Sequence, residues 1–80
     1  MHYVYIIRSI DFPEKIYVGR TTNLAKRISN HNAGTTPHTK KYRPWELQIQ
    51  IGFKDEIKAI EFEQYLKSGS GRAFRDKRLL

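Results

Sequence analysis

Apolar and polar residues alternate most strictly in the middle of the chain. Trp45, Leu47, Ile49, Ile51 and Phe53 take every second position, with Glu46, Gln48 and Gln50 between them. A period of two predicts a strand with all five apolar side chains on one face. Near the start, Tyr3 to Arg8 is β-branched and aromatic and reads as another strand. Alternation puts Tyr3, Tyr5 and Ile7 on one face and Val4, Ile6 and Arg8 on the other. Asp11 and Pro13 mark a turn, and Lys15 to Arg20 forms the next strand. There Tyr17 and Gly19 face away from Ile16, Val18 and Arg20. Two strands across so short a turn predict a hairpin.

The period changes after Arg20. Thr21, Thr22 and Asn23 carry oxygens able to cap a helix. Leu24 to Asn32 follows as a helix, with Leu24, Ala25 and Ile28 at core spacing and Gly34 as a stop. A second helix is predicted over Asp55 to Lys67. Ser68 to Gly71 breaks it, and Arg72 to Leu80 reads as a short basic helix or tail. Ala33 to Arg43 has the composition of a turn or mobile loop, long for so small a chain. The order β-β-α-β-α-(α) predicts an α/β (α+β) fold. Its centre is a small three-stranded, mostly antiparallel sheet flanked by helices, forming one domain over residues 1–80.

Composition narrows the function. Hydrophobic residues make up 39%, too many for a disordered chain. With no cysteine, a disulfide framework, a thiol nucleophile and a thiolate zinc site are excluded. Neither a signal-peptide core nor a run long enough to span a bilayer is present, so a soluble cytoplasmic protein with no membrane partner is expected. Fifteen Lys and Arg against eight Asp and Glu leave a net charge of +7. A small basic domain points to a polyanion, nucleic acid above all.

Three features could carry chemistry. On a wheel at about 100° per residue, Glu63 falls inside the apolar arc of the second helix, and Glu61 falls on the opposite side. A carboxylate in an apolar stripe must be paired or bind a cation; the plainer reading is an edge glutamate held by Arg or Lys. Tyr5 and Tyr17 lie one on each hairpin strand, where tyrosine also simply packs well. Gly19 follows them, and a strand glycine marks close approach of a ligand or another backbone. Arg27 and His31 are spaced i, i+4 on the first helix and share a face bordering the core. Arg27 could clamp a phosphate, or it could be one arginine on a solvated face. Together these are the parts for cutting a phosphodiester: a cation, a phosphate clamp and a group to activate water.

The same residues resemble a known family. Tyr-Val-Tyr at 3–5 and Tyr-Val-Gly at 17–19 are similar to the two halves of the GIY-YIG nuclease motif, with Tyr3 in place of the first Gly. The likeness continues through Thr21 to Gly34, with Arg27 and the run His31 to Gly34, then through Pro44 to Leu47, and through Ala59, Glu63 and Lys67. It covers nearly the whole chain. It is closest to the small stand-alone members, related to the nuclease module of an excinuclease and of some homing endonucleases. The resemblance implies metal-dependent hydrolysis of DNA to 5′-phosphate and 3′-hydroxyl ends, in DNA repair or processing. It implies that Tyr17 sits beside the attacking water as general base or its partner, and that Tyr5 supports it and contacts the phosphate. Arg27 would steady the scissile phosphate, and Glu63 would be the single protein ligand of Mg²⁺ or Mn²⁺. His31 is an alternative base. Gly19, Arg20, Lys40, Lys41 and Arg72 are expected to meet substrate. Some members carry an asparagine after the metal-binding helix. None follows Glu63 here, leaving Ser68, Ser70 or Arg72 for that place.

Two other readings use the same residues differently. A non-catalytic nucleic-acid-binding module would rest on Lys40, Lys41, Arg43, Lys67, Arg72, Arg75, Lys77 and Arg78, with phosphate contacts and little sequence readout. It would not need a carboxylate facing the core. A structural adaptor would use the surface around Trp45 and Tyr65. A protein partner or a dimer is compatible with all three.

Overall fold

The computed structural model describes residues 1–80. Strand β1 (His2–Ser9) lies at the centre of an antiparallel sheet, between β2 (Ile16–Thr21) and β3 (Trp45–Phe53). A central strand is covered on both faces. Val4, Tyr5, Ile6 and Ile7 are accordingly all buried. On one face Val4, Ile6 and Val18 pack on Ala59 and Leu66 of helix α3 (Glu56–Lys67). On the other, Tyr5, Ile7 and Trp45 pack against Leu24 and Ile28 of helix α1 (Leu24–Ala33). The result is the expected α+β arrangement, with a small core on each side of the sheet.

One strand departs from its alternation. The register of β3 on β1 slips between Ile6–Ile49 and Ile7–Leu47, leaving Gln48 without a partner. Such a bulge reverses the faces on either side of it. Trp45 therefore joins Tyr5 and Ile7, whereas Ile49 and Phe53 join the opposite core. The single apolar face expected for 45–53 is divided between the two faces of the sheet.

The helices start where their caps direct. The Asn23 side chain accepts the backbone N–H of Lys26 at 3.2 Å, and Gly34 ends α1 at φ 80°. Ala25 is exposed, contrary to the core spacing predicted for it, and His31 takes the buried place on α1. The 33–43 stretch is not all turn. It contains the short helix α2 (Pro37–Lys40), tied down beneath β3: the Trp45 indole N–H donates to the Thr39 carbonyl at 2.8 Å. Asn32 grips the same residue from α1, accepting the Trp45 backbone N–H at 2.6 Å and donating to its carbonyl at 3.2 Å. Asp55 caps α3 by accepting the Ile57 N–H at 2.8 Å. The break expected over 68–71 falls at Ser68, which is extended; Gly69–Gly71 already form the first turn of helix α4 (Gly69–Phe74), capped by Ser68 and continued by one wider turn over Arg75–Leu79. Gly71 is buried so tightly on the Tyr65 backbone that a side chain would overlap it. No helix is long and apolar enough to cross a membrane.

Candidate active site

Strand pairing sets Tyr5 opposite Gly19 and Ile7 opposite Tyr17. Side chains at these positions share the face that α1 covers. The Tyr5 and Tyr17 rings lie 6.4 Å apart, centroid to centroid, and the His31 ring sits 5.8 Å from the first and 5.1 Å from the second. Gly19 is what lets them gather. A Cβ there would overlap the Tyr5 hydroxyl and stand 3.0 Å from the Tyr17 ring. The sequence points to a ligand or another backbone as the group approaching this strand glycine; the group that fills the space beside it is the Tyr5 phenol.

Hydrogen bonds join the cluster into a row. Arg27 Nε donates to the Tyr5 oxygen at 3.4 Å. Tyr5 Oη and His31 Nε2 share a bond of 2.7 Å, and His31 Nδ1 and Thr39 Oγ1 share another of 2.7 Å. Tyr5, His31 and Thr39 are wholly buried, whereas Tyr17 and Arg27 are partly exposed. Burial pushes the Tyr5 phenol above its ordinary pKa, and the opposing pull of Arg27 does not overcome it. Tyr5 is therefore held as a neutral hydroxyl. Burial, with the Arg27 charge behind it, lowers the pKa of His31 and keeps the imidazole neutral. The bond to Tyr5 raises the pKa of Arg27, which stays charged. His31 cannot meet an attacking water directly, because it is enclosed and its Nε2 is already bonded to Tyr5. Of the two phenols, Tyr17 is the one with an open side.

Glu63 comes from the opposite face, on α3. Its side chain is 19% exposed, and Glu61 points to solvent, as the wheel predicts. Two cations flank it: Lys67 Nζ at 3.1 Å and Arg20 Nε at 3.7 Å. The Arg20 Nε is buried with no hydrogen bond of its own. Arg20 also reaches Glu56 at 3.9 Å. The Glu63 charge is felt at the Tyr5 phenol, where it adds to the upward push on the pKa. Glu63 thus reaches the edge strand β2 at Arg20, the residue after Gly19.

Of the other residues to which the sequence points, Lys40 and Lys41 stand exposed at the end of α2, with the Lys41 ammonium 5.5 Å from the centre of the Tyr42 ring. Arg72 is exposed on α4 and makes no side-chain bond to the tyrosine cluster. Thr39 carries no signal in the sequence. It is one threonine in a polar stretch, and only the tertiary structure brings it to His31.

The matches to other proteins fall on this framework. The model of the GIY-YIG catalytic domain matches residues 1–77. The chain belongs to the GIY-YIG family. It is 40% identical over 70 residues to UPF0213 protein SH2523 of Staphylococcus haemolyticus, covering 86% of this chain and 83% of that one. It is 37% identical over 71 residues to the structure-specific endonuclease subunit SLX1 of Candida dubliniensis, covering 80% of this chain but only 25% of that larger protein. Among solved structures, the UPF0213 protein BH0048 of Bacillus halodurans superposes with a TM-score of 0.56 at 30% identity, over 94% of this chain and 79% of that one. The chain is accordingly a GIY-YIG nuclease domain, a hydrolase acting on nucleic acid.

Proposed function

We propose that this GIY-YIG domain is a metal-dependent endonuclease that cuts DNA to 5′-phosphate and 3′-hydroxyl ends, in repair or processing of DNA structures. The Arg27–Tyr5–Tyr17 cluster beside β2, with Glu63 held from the other face by Arg20 of the same strand, carries the reading. SLX1 of Candida dubliniensis is named a structure-specific endonuclease subunit. That likeness favours branched or flapped DNA as substrate and allows a partner protein for this chain too. The absence of cysteine fits a reducing, cytoplasmic setting.

The chain's own residues divide the work. Arg27 presents its terminal guanidinium nitrogens to a phosphate while its Nε stays on Tyr5. Tyr17 holds the attacking water on its open side and, as general base or its partner, relays the water's proton to solvent. Water attacks phosphorus, the bond to the 3′ oxygen breaks, that oxygen takes a proton from solvent to become the 3′-hydroxyl, and the phosphate remains on the 5′ side. The donor set at Glu63 fits a hard divalent cation in one way only. No cluster of three acidic or imidazole ligands exists, so the metal would be held by one carboxylate, with waters and phosphate oxygens completing its shell. Mg²⁺ or Mn²⁺ so held would supply Lewis-acid stabilisation of charge on the leaving oxygen.

The test is cleavage of supercoiled plasmid and labelled branched, flapped and single-stranded oligonucleotides with Mg²⁺, Mn²⁺ or EDTA. Cutting should require the metal, vanish in Glu63→Ala and persist in Glu61→Ala. Salt-sensitive binding with no cutting of any substrate would instead make the chain a binding module, and wild-type cutting by Glu63→Ala would remove the metal assignment.

A further inference from the structure

We propose that Thr39 is a positioning residue of this site: its hydroxyl selects the tautomer of His31 and, through Tyr5, sets the orientation of the Arg27 guanidinium. The inference rests on the nuclease reading above and concerns a residue to which that reading gives no role.

A count of hydrogens decides the direction of the row. A neutral imidazole carries one N–H, on Nδ1 or on Nε2. Suppose it is on Nε2. Then His31 donates to the Tyr5 oxygen, which already receives the Arg27 Nε–H, and Thr39 must donate to Nδ1. The Tyr5 hydrogen is left in a wholly buried place with no acceptor among its bonded neighbours, an arrangement native interiors avoid. Suppose instead it is on Nδ1. Then Arg27 donates to Tyr5, Tyr5 donates to Nε2, Nδ1–H donates to Thr39 Oγ1, and Thr39 donates to the Thr36 carbonyl at 3.4 Å. Every hydrogen in the row has an acceptor and every bond runs the same way, so each polarises the next.

The direction matters at the far end. With its hydrogen turned toward His31, the Tyr5 oxygen offers its lone pairs to Arg27 Nε. The guanidinium is anchored by that one bond, and its terminal nitrogens are left for phosphate. If the tautomer reverses, His31 donates to the Tyr5 oxygen instead of accepting from it, the displaced Tyr5 hydrogen is turned toward the Arg27 N–H, and the anchor weakens. Thr39 is the only partner of His31 Nδ1, and it is wholly buried. It sits on α2, so the 33–43 segment reaches the phosphate clamp through three hydrogen bonds.

The experiment reads the tautomer and the kinetics on the full chain. Long-range ¹H–¹⁵N correlation spectra should show His31 protonated at Nδ1 in the wild type. Thr39→Val keeps the shape and removes the hydroxyl. It should move His31 to the Nε2–H form or to a mixture, and lower kcat about tenfold or more, with KM changed less than about twofold. Thr39→Ser should restore both. The Trp45 indole N–H resonance, bonded to the Thr39 carbonyl, reports whether each variant is folded. An Nε2–H tautomer in the wild type overturns the proposal, and that measurement needs no variant to fold. So does a loss of kcat in Thr39→Val with the tautomer unchanged, or an unchanged kcat with the tautomer reversed. A wild-type chain that cuts nothing would defeat the nuclease reading, while the spectra would still decide the link between Thr39 and His31.

Discussion

His31 can take part in the row only while it is neutral, and its surroundings decide that. Its ordinary pKa is about 6.5, and burial beside the Arg27 guanidinium lowers it. The consequence for stability has a definite sign. Above about pH 6.5 the imidazole is neutral whether the chain is folded or not. As pH falls through that value, the unfolded chain takes up a proton that the folded chain refuses. Stability is lost until the folded pKa is passed. The melting temperature should therefore fall from about pH 7.5 to about pH 5.5, a window centred on the unfolded value, more steeply in the wild type than in His31→Asn. His2 and His38 are present in both proteins, so the comparison isolates His31. Equal slopes would show that His31 takes a proton in the fold, and a row of bonds built on a neutral imidazole would not exist. Part of this was legible in the sequence. The i, i+4 spacing of Arg27 and His31 placed them on one face, and the turn of the α3 wheel separated Glu63 from Glu61. Thr39 was not legible, because nothing local distinguishes a threonine that solvates a loop from one that closes a buried network.

At the level of strands and helices, periodic patterns were enough for type and order but not for every face. Strict alternation over 45–53 implies one apolar side, yet the bulge at Gln48 shares those residues between two cores. No residue at the bulge announces it; it exists because β3 must serve both faces of a central strand. Gly19 was readable as a place of close approach, but what approaches it was not. The structure turns that into a prediction. In Gly19→Ala the new methyl must displace the Tyr5 phenol, moving it off His31 and Arg27. The change should destabilise the fold by about 1–3 kcal/mol and suppress cleavage as well. Gly69→Ala is the control. It opens α4, and a Cβ there meets nothing within 4 Å. It should be neutral or stabilising by up to about 1 kcal/mol. Urea denaturation read beside the cleavage assay checks both. A Gly19→Ala protein with wild-type stability would mean that Tyr5 is free to move, and that its contacts do not hold the cluster together.

Across the whole molecule, charge and chemistry are separable. The net charge of +7 acts on any polyanion, whereas the cutting proposed above would rest on the few residues along β2 and the helices beside it. Exposed Lys40 and Lys41 stand on the same 33–43 segment as buried Thr39, so a strand they hold would lie across the α1 side of the sheet. Contacts of this kind are made to phosphates and release counterions. The logarithm of the binding constant should fall linearly with the logarithm of salt concentration, with a slope of about −0.9 per phosphate contact on duplex DNA. Lys40→Ala and Lys41→Ala should each weaken binding to DNA of any sequence and reduce the slope by about 0.9. Glu63→Ala should do the reverse. Removing one carboxylate raises the net charge by one from +7, so DNA affinity in EDTA should hold or increase while cleavage is lost. Binding titrations from low to moderate salt, run on all three variants with one labelled duplex and one flap, test this division. If the lysine variants keep the wild-type slope, the DNA path does not cross α2. If Glu63→Ala binds more weakly than wild type without metal, the carboxylate is holding the fold through Arg20 and Lys67, and its loss of cleavage would no longer speak for a metal.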